Sequence, residues 1–438
     1  MNRRTATVRN NAIGSILVKG WGVIVSLILV PMTMDYLSPE VYGVWLTLSS
    51  IVLCLTFFDI GFTNGLKNKL AEALAAGDTV RGKALVSTAY ALMLAIFLPL
   101  GLLLEIAVPF VDWCRLLNVA PSLAPQLVAA MRILLFCFVL QMIFNTITAV
   151  LAACQRTAVS SVFPVVANTL SVLIIYILTR TTPPSLVALA QAIAYLPAIV
   201  LLFASLILFR TRYRALAPSP ACVDRTAVAA LFSLGLKFFL LQIHYVVMYQ
   251  ATNIIISNLS SPQQVTVYNV AYKYLSVGML AVAIIMNPLW PAFTDAYAKG
   301  DYPWMRRTYR AMRRLVGAVM AISALMVAVA PFVYRLWIGN ASFVPWAMTI
   351  SVGAYVVVRC WTQLHVMLIN GIGAIRLQTF ITILGLAAYL ALALAGGHIA
   401  GAVGVVWAMT AVDVMYAVVF TIQLRKLLAG VKNTFWNR

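Results

Sequence analysis

The sequence has 438 residues, of which 63% are hydrophobic and only 10% are charged, whereas soluble globular proteins average about 45–50% apolar and about 25% charged residues. This composition and its long apolar blocks exclude an ordinary soluble protein, and the lack of apolar–polar alternation excludes a transmembrane β-barrel. The net charge of +20 does not indicate a nucleic-acid partner, because basic residues collect in the cytoplasmic loops of membrane proteins.

Twelve apolar blocks follow one another along the chain, separated by short connections. Each block is close to the roughly 20 residues that a helix needs to cross the hydrocarbon. The sequence therefore predicts an all-α polytopic membrane protein of about twelve transmembrane helices, with no room for another domain. The predicted spans are 12–34, 41–66, 85–109, 127–152, 158–179, 186–209, 228–257, 265–296, 314–338, 344–370, 376–396 and 400–424.

Basic residues indicate which ends of the spans face the cytoplasm. If the N terminus is cytoplasmic, 23 of the 31 Lys and Arg residues fall on the cytoplasmic side. Only Arg115, Arg180 and Arg335 fall outside, and five lie within the spans. This asymmetry predicts that both termini are cytoplasmic.

Three short motifs occur in the same order in both halves of the chain. They are Ser38-Pro39, Gly77-Asp78 and Pro109-Phe110-Val111 in the first half, and Ser261-Pro262, Gly300-Asp301 and Pro331-Phe332-Val333 in the second. The distance from Gly-Asp to Pro-Phe-Val is 32 residues in the first half and 31 in the second. The repeat predicts two six-helix bundles, 1–215 and 216–438, related by a pseudo-two-fold axis along the membrane normal, with the binding site between the halves.

Five basic residues lie within the predicted spans: Lys19, Arg132, Lys237, Lys273 and Arg359. An ionisable side chain deep in the bilayer is costly, so it normally faces a partner or a water-filled cavity. Arg132 lies near the outer end of span four, where its long side chain can reach the headgroups. The other four lie deeper, and we expect them to line one positive cavity suited to a ligand that carries phosphate.

Two acidic residues lie at depth. Asp59 is about 12 Å from the inner end of span two, level with Lys19 at 1.5 Å per residue. Two interpretations are open: a structural ion pair with Lys19, or a proton- or sodium-responsive carboxylate that couples or gates transport. Asp413, near the middle of span twelve, is placed to neutralise Arg359.

No pattern typical of catalysis or of a metal site is found. The six cysteines have no CxxC spacing, and His244 and His365 have no second ligand at metal spacing. The GxxxxGK[ST] loop of ATP-binding proteins does not occur. The sequence therefore predicts no catalytic residue, no metal and no cofactor, with H⁺ or Na⁺ as candidate coupling ions.

The first 80 residues contain a series of short motifs: Asn10-Asn11, Lys19, Pro31, residues 36–45 (YLSPEVYGVW), residues 59–65 (DIGFTNG) and Ala71-Glu72. In these motifs the chain resembles the polysaccharide, or O-antigen, flippases of the Wzx type. These flippases belong to the multidrug/oligosaccharidyl-lipid/polysaccharide (MOP) exporter superfamily. The twelve-span layout and the repeat extend the resemblance over the whole chain.

The resemblance implies a function, a location and a set of partners. Such flippases move undecaprenyl-pyrophosphate-linked oligosaccharides from the inner to the outer leaflet of the bacterial inner membrane, for O-antigen, capsule or exopolysaccharide synthesis. It implies alternating access, contact with membrane lipids, and polysaccharide polymerase and chain-length machinery as partners. The basic residues within the spans, found independently, suit the pyrophosphate.

Two other functions are possible alternatives to a flippase. A MATE-like small-molecule exporter would share the architecture, but a positive cavity disfavours cationic drugs. An integral-membrane glycan enzyme, a polymerase or transferase, would be expected to show a large outer loop or a cluster of carboxylates and histidines for acid-base work. The predicted outer loops are short and their acids are isolated, so the sequence favours a transporter over an enzyme.

Overall fold

A computed structural model describes residues 3–56, 62–154, 156–224, 226–228, 248, 250–286, 289, 293, 296–297 and 299–430. The described residues are almost entirely helical and contain no strand, which confirms the all-α fold class. The chain divides into two compact units, Met1–Val246 and Val247–Arg438. The sequence-based boundary after residue 215 stays a prediction.

The first unit is built of nine helices among its described residues. They are α1 (Arg3–Tyr36), α2 (Pro39–Thr56), α3 (Phe62–Ala75), α4 (Thr79–Ala107), α5 (Trp113–Leu117), α6 (Ala124–Phe144), α7 (Thr146–Ala153), α8 (Thr157–Thr181) and α9 (Leu186–Arg210). Short 3₁₀ turns follow at Val108–Phe110, Pro121–Leu123, Arg214–Leu216 and Pro220–Cys222. Helix α1 packs on α8, and α6 packs on α9.

The second unit contains five further helices among its described residues. They are α10 (Pro262–Leu275), α11 (Val277–Met286), α12 (Tyr302–Ile338), α13 (Trp346–Ile372) and α14 (Ile375–Leu428). Residues 250–259 are also helical. Helix α13 lies centrally, because α10, α11, α12 and α14 all pack against it.

Helix α14 is two membrane-spanning segments joined by a sharp reversal. Ala400 and Gly401 have non-helical backbone angles, and Gly401 has a φ of +57°, a region that glycine enters without steric cost. The two segments then touch through glycines: a Cβ on Gly396 would lie 2.7 Å from the carbonyl oxygen of Gly404. This pair of segments corresponds to predicted spans eleven and twelve.

The predicted spans overlap helices where the chain is described, although the apolar parts of α1 and α2, Gly20–Tyr36 and Pro39–Leu55, are shorter than a full span. Seven described helices are long and apolar enough to cross a membrane, or eight if the bent pair α10–α11 is one span, and α14 is counted once although it is broken. Predicted span seven, 228–257, lies mostly outside the described residues. The chain is therefore a multi-pass membrane protein.

The repeated Gly-Asp motif has the same local structure in both units. Gly77 and Gly300 both adopt a left-handed backbone, with φ of +74° and +69°. Asp78 Oδ1 then accepts a hydrogen bond from the amide of Arg81 at 2.8 Å, and Asp301 Oδ1 accepts one from the amide of Trp304 at 3.0 Å. Each motif therefore ends one helix and caps the next.

The Ser-Pro motif is also repeated in structure, whereas the Pro-Phe-Val motif is not. Ser38 and Ser261 each accept a backbone amide through the side-chain oxygen, at 3.2 and 3.3 Å, and so cap α2 and α10. Pro109 lies in a 3₁₀ turn that follows α4, but Pro331 lies inside α12. The Pro-Phe-Val motif therefore occurs at the same position of the repeat in both units but has a different backbone conformation in each.

The polar segment after α9 is held against the first unit. The amide of Ser219 donates to Ser87 Oγ at 3.0 Å, and the amide of Asp224 donates to Thr88 Oγ1 at 2.9 Å. Hydrogen bonds from the hydroxyl and amide of Thr226 hold the pKa of the Asp224 carboxyl below its usual range. This segment therefore has a defined path along α4.

Candidate functional site

An ion pair joins α13 to the second segment of α14. Nη1 of Arg359 lies 3.1 Å from Oδ1 of Asp413. The Asp413 side chain is 1% exposed and that of Arg359 is 20% exposed. Both residues come from membrane-spanning helices, where an unpaired charge would be costly, so the two side chains stabilise each other.

The Asp413 carboxylate keeps one oxygen unoccupied. Its Oδ2 is buried and has no hydrogen-bond partner among the described residues. Thr362, one helical turn from Arg359, donates to the backbone carbonyl of Asp413 at 3.3 Å, which fixes the backbone beneath the carboxylate. A buried carboxylate oxygen of this kind can accept a proton or a cation.

Lys273 lies beside a bend in a membrane span. Helices α10 and α11 meet at an angle of 41°, and Lys273 is two residues before the end of α10. Its side chain is half-buried, and no carboxylate of the described residues lies within ion-pair distance of it. This ammonium is therefore a candidate contact for an anion.

Tyrosines connect the surroundings of the two cations. The rings of Tyr272 and Tyr355 are 6.4 Å apart between centroids. Tyr272 adjoins Lys273 in the chain, and Tyr355 lies one helical turn before Arg359. Tyr268 stacks on Tyr272 at 5.7 Å and is buried. Helices α10 and α13 thus meet through aromatic rings close to both basic residues.

The remaining sequence-derived site residues are only partly described. Lys19 lies in α1, but the placement of its side chain is outside the described part of the structure. Lys237 and Asp59 also lie outside the described residues. Their roles, including the Lys19–Asp59 pair, stay predictions.

Arg132 has an acidic neighbour at the end of its span. Its Nε lies 3.8 Å from Oε2 of Glu105 on α4, and both side chains are partly exposed. Pairs of this kind contribute little to stability. Arg132 is therefore not grouped with the deeper basic residues.

The first unit contains a neutral cavity of about 430 Å³, with polar and apolar lining residues, that the sequence did not reveal. It is lined from α6, α7, α8 and α9 by Gln141, Met142, Asn145, Thr148, Ser160, Ser161, Phe163, Pro164, Pro197 and Leu201. Its volume lies within the range of about 300–1,000 Å³ that is usual for ligand sites. Since its described lining residues include amides and hydroxyls and no charged side chain, it suits an uncharged ligand that carries polar groups.

Two prolines shape this cavity. Pro164 and Pro197 lie inside α8 and α9, and each lacks the N–H that would bond the carbonyl four residues earlier. The helical hydrogen bonds that the prolines cannot make are those to the carbonyls of Ser160 and Ile193. The two in-helix prolines are visible in the sequence, but the lining residues come from four helices, so the sequence alone does not locate this cavity.

The comparisons with known proteins agree with this architecture. The family model described as "Polysaccharide biosynthesis protein" matches residues 8–297, which is more than half of the chain. No curated protein matches the sequence.

Solved transporters share the fold at low sequence identity. An inward-facing multidrug resistance MATE family transporter of the MOP superfamily has a TM-score of 0.77 at 15% identity, covering 96% of each chain. An outward-facing one has a TM-score of 0.70 at 16% identity, covering 98% of this chain and 96% of the other. A MOP superfamily transporter from Pyrococcus furiosus, described as having a binding pocket of reversed polarity, has a TM-score of 0.70 at 14% identity, with coverages of 98% and 96%. The chain therefore has the MOP transporter fold.

Proposed function

Because the chain belongs to the polysaccharide biosynthesis protein family, we propose that it is a flippase for undecaprenyl-pyrophosphate-linked oligosaccharides. It moves these repeat units from the cytoplasmic to the outer leaflet of a bacterial inner membrane by alternating access. The products serve O-antigen, capsule or exopolysaccharide synthesis. Polysaccharide polymerase and chain-length machinery would receive the glycan on the outer side.

The observation that carries the proposal is a half-buried ammonium inside a span. Lys273 faces no carboxylate of the described residues at ion-pair distance. A membrane protein keeps such a charge where an anionic ligand compensates it. A pyrophosphate offers several acceptor oxygens to basic side chains, and in this proposal Lys19, Lys237, Lys273 and Arg359 contact it.

The neutral cavity of the first unit suits the sugars. Sugar hydroxyls both donate and accept hydrogen bonds, as do the amides of Gln141 and Asn145 and the hydroxyls of Thr148 and Ser160. Charged pyrophosphate and uncharged glycan would thus meet different sets of side chains. The polyprenyl tail needs no polar site, since it stays in the lipid.

The energy source is proposed to be an ion gradient. The predicted depth of Asp59 makes it a candidate carboxylate for binding H⁺ or Na⁺. Asp413 is a second candidate, because its Oδ2 has no hydrogen-bond partner among the described residues. Protonation of Asp413 would weaken its hold on Arg359 and so free the guanidinium for the pyrophosphate. A carboxylate whose ion affinity differs between two conformations couples the ion to the conformational change.

A MATE-like exporter is the second candidate, because solved MATE transporters share the fold. Deletion of the gene distinguishes the two functions. We expect the deletion to cause undecaprenyl-pyrophosphate-linked oligosaccharide to accumulate with its glycan on the cytoplasmic side, as measured by mass spectrometry of lipid extracts and by oxidation of exposed glycan in intact spheroplasts. Unchanged lipid-linked pools together with increased sensitivity to cationic drugs would instead establish a drug exporter.

A further inference from the structure

Helix α12 begins with a strongly basic segment. Five arginines occur within nine residues of this 37-residue helix: Arg306, Arg307, Arg310, Arg313 and Arg314. The helix is about 55 Å long at 1.5 Å per residue, whereas the hydrocarbon is about 30 Å thick. Since the apolar run starts at Leu315, the arginines lie where the helix leaves the hydrocarbon.

Three of these arginines line a cavity. It has a volume of about 300 Å³ and is bounded by Arg310, Arg313 and Arg314 of α12 and Trp361 of α13. The spacing of three and four residues places the three side chains on one side of the helix, about 5–6 Å apart at Cβ. Three guanidinium groups thus converge on one volume beside an indole ring.

A hydrogen-bond network holds the wall of this cavity. Trp361 Nε1 donates to Thr421 Oγ1 at 3.0 Å, and the Trp361 ring lies 4.9 Å from that of His365. Nδ1 of His365 is 2.8 Å from the carbonyl of Trp361, and this oxygen can only accept. In the neutral tautomer, Nε2 then accepts from the hydroxyl of Tyr309 at 2.9 Å.

The same network orients one of the arginines. The guanidinium of Arg313 lies 5.7 Å from the ring centroid of Tyr309, a cation–π distance. Tyr309 is buried and is fixed by its bond to His365. The Tyr309–His365 hydrogen bond therefore positions the ring against which Arg313 lies.

The described residues supply no counter-charge to this cluster. In the described part of the second unit the acidic residues are Asp301 and Asp413. Asp301 caps the start of α12 through the amide of Trp304, and Asp413 pairs with Arg359. Like charges three and four residues apart repel each other, so the cavity favours an external anion.

Arg314, which bounds the cavity, lies on the exposed apolar face of α12. Leu325 and Phe332 are 63% and 66% exposed, as expected for a helix face in contact with acyl chains. Arg314 precedes them by 11 and 18 residues, close to three and five helical turns, and so lies on the same face. An anion carried on a membrane lipid would thus reach the arginines from the bilayer while its chains stay in hydrocarbon.

We propose that Arg310, Arg313, Arg314 and Trp361 form a binding site for the phosphate or pyrophosphate headgroup of a membrane lipid. With the predicted orientation the site lies at the cytoplasmic leaflet. The arginines bind the headgroup oxygens, and the indole of Trp361 forms the apolar wall of the site. The inference needs only that α12 crosses a membrane, so it goes beyond the flippase proposal and does not depend on it.

The test uses the purified full-length protein. Phosphatidylglycerol and phosphatidylcholine with identical acyl chains are titrated against it, and binding is measured by microscale thermophoresis. We expect Arg310→Gln/Arg313→Gln/Arg314→Gln to weaken phosphatidylglycerol binding at least about tenfold, with phosphatidylcholine unaffected. The matched control is Arg210→Gln/Arg212→Gln/Arg214→Gln, which removes the same charge from the end of α9 and the segment that follows it and should bind like wild type.

Each result supports or overturns the site. Equal losses in the two triple variants, or no loss in either, would overturn it. If the triple variant does not fold, the single variants Arg310→Gln and Arg314→Gln decide, since both residues are exposed. Displacement of phosphatidylglycerol by undecaprenyl pyrophosphate at lower concentration would identify a pyrophosphate lipid as the ligand. Equally tight binding of free sodium pyrophosphate would overturn the lipid assignment.

Discussion

Arg359 and Asp413 are 54 residues apart in the chain and 3.1 Å apart in the second unit. Their helices, α13 and α14, pack along each other. The ion pair therefore fixes the position of one span along the other. Because the buried partner is the carboxylate, loss of the guanidinium would leave a negative charge with no solvent to stabilise it.

Single neutralisation of this pair should therefore destabilise the protein more than double neutralisation. We expect Arg359→Gln to lower the free energy of unfolding by about 3–5 kcal/mol, and Arg359→Gln/Asp413→Asn to regain most of it. Thermal unfolding in detergent measures both. Equal stability of the wild type and both variants would show that the pair contributes nothing.

Glycan export should respond differently in the same two variants. We expect the double variant to fold but to remain defective in export, because the guanidinium that contacts pyrophosphate is still missing. Full export by Arg359→Gln/Asp413→Asn would make the pair purely structural. It would remove Arg359 from the proposed substrate site.

Lys273→Ala should reduce export without loss of stability, because its ammonium pairs with no carboxylate of the described residues. A charge-assisted contact is worth about 1.5–3 kcal/mol, so apparent substrate affinity should fall about tenfold to a hundredfold. Lys273→Arg should be milder, since it keeps the charge. The control Lys67→Ala removes the same charge from an exposed position of α3 and should export normally. Wild-type export by Lys273→Ala would contradict the proposed role.

The orientation can be tested by cysteine labelling. Gly300 is unsuitable, because its φ of +69° would strain a cysteine, but Ala76 in the equivalent loop of the first unit is exposed. We expect Ala76→Cys to react with a membrane-impermeant maleimide only after permeabilisation, and Pro184→Cys, in a predicted outer loop, to react in intact cells. The reverse pattern would place both termini outside.

Asp59→Asn should abolish any dependence of transport on a pH or sodium gradient. A coupling carboxylate cannot be replaced by an amide, whereas a structural ion pair tolerates joint neutralisation. We therefore expect Asp59→Asn/Lys19→Gln not to restore the dependence, measured in proteoliposomes with imposed gradients. Gradient-driven transport by the double variant would show that Asp59 and Lys19 form a structural ion pair and that Asp59 does not couple transport to the gradient.

The spans and the repeat were predictable because their signals are local. A long apolar block predicts a membrane-spanning helix, and the Gly-Asp motif has the same left-handed glycine in both units, as Gly77 and Gly300 show. The family assigned from the first 80 residues is confirmed by the match over residues 8–297.

The sites depend on tertiary packing and were harder to infer. The neutral cavity joins Gln141 to Leu201 across four helices, and no single segment carries that pattern. In the sequence, Arg310, Arg313 and Arg314 indicate only which end of the span is cytoplasmic, because a basic segment beside a span normally contacts water. Only the contact of α12 with α13 reveals that Trp361 completes a cavity with them.

The close glycine contact in α14 should be intolerant of added volume. A Cβ on Gly404 would collide with the carbonyl of Gly396, so Gly404→Ala should destabilise the protein by about 1–3 kcal/mol. Gly317→Ala in α12 is the control, since nothing lies within 4 Å of its new methyl group. It should be neutral or stabilising by up to about 1 kcal/mol. Thermal unfolding of the two variants compares them directly, and equal midpoints would contradict tight packing.

The reversal at Ala400 and Gly401 also constrains how the ribosome delivers this protein to the bilayer. A turn of two residues contains no hydrophilic loop that the translocon could move across the membrane separately from the helices. The two segments of α14 must therefore leave the translocon together, as one helical hairpin. A nascent chain stopped at Ile399 would present the glycine face around Gly396 without its partner segment, and quality-control proteases could distinguish that product from the finished protein.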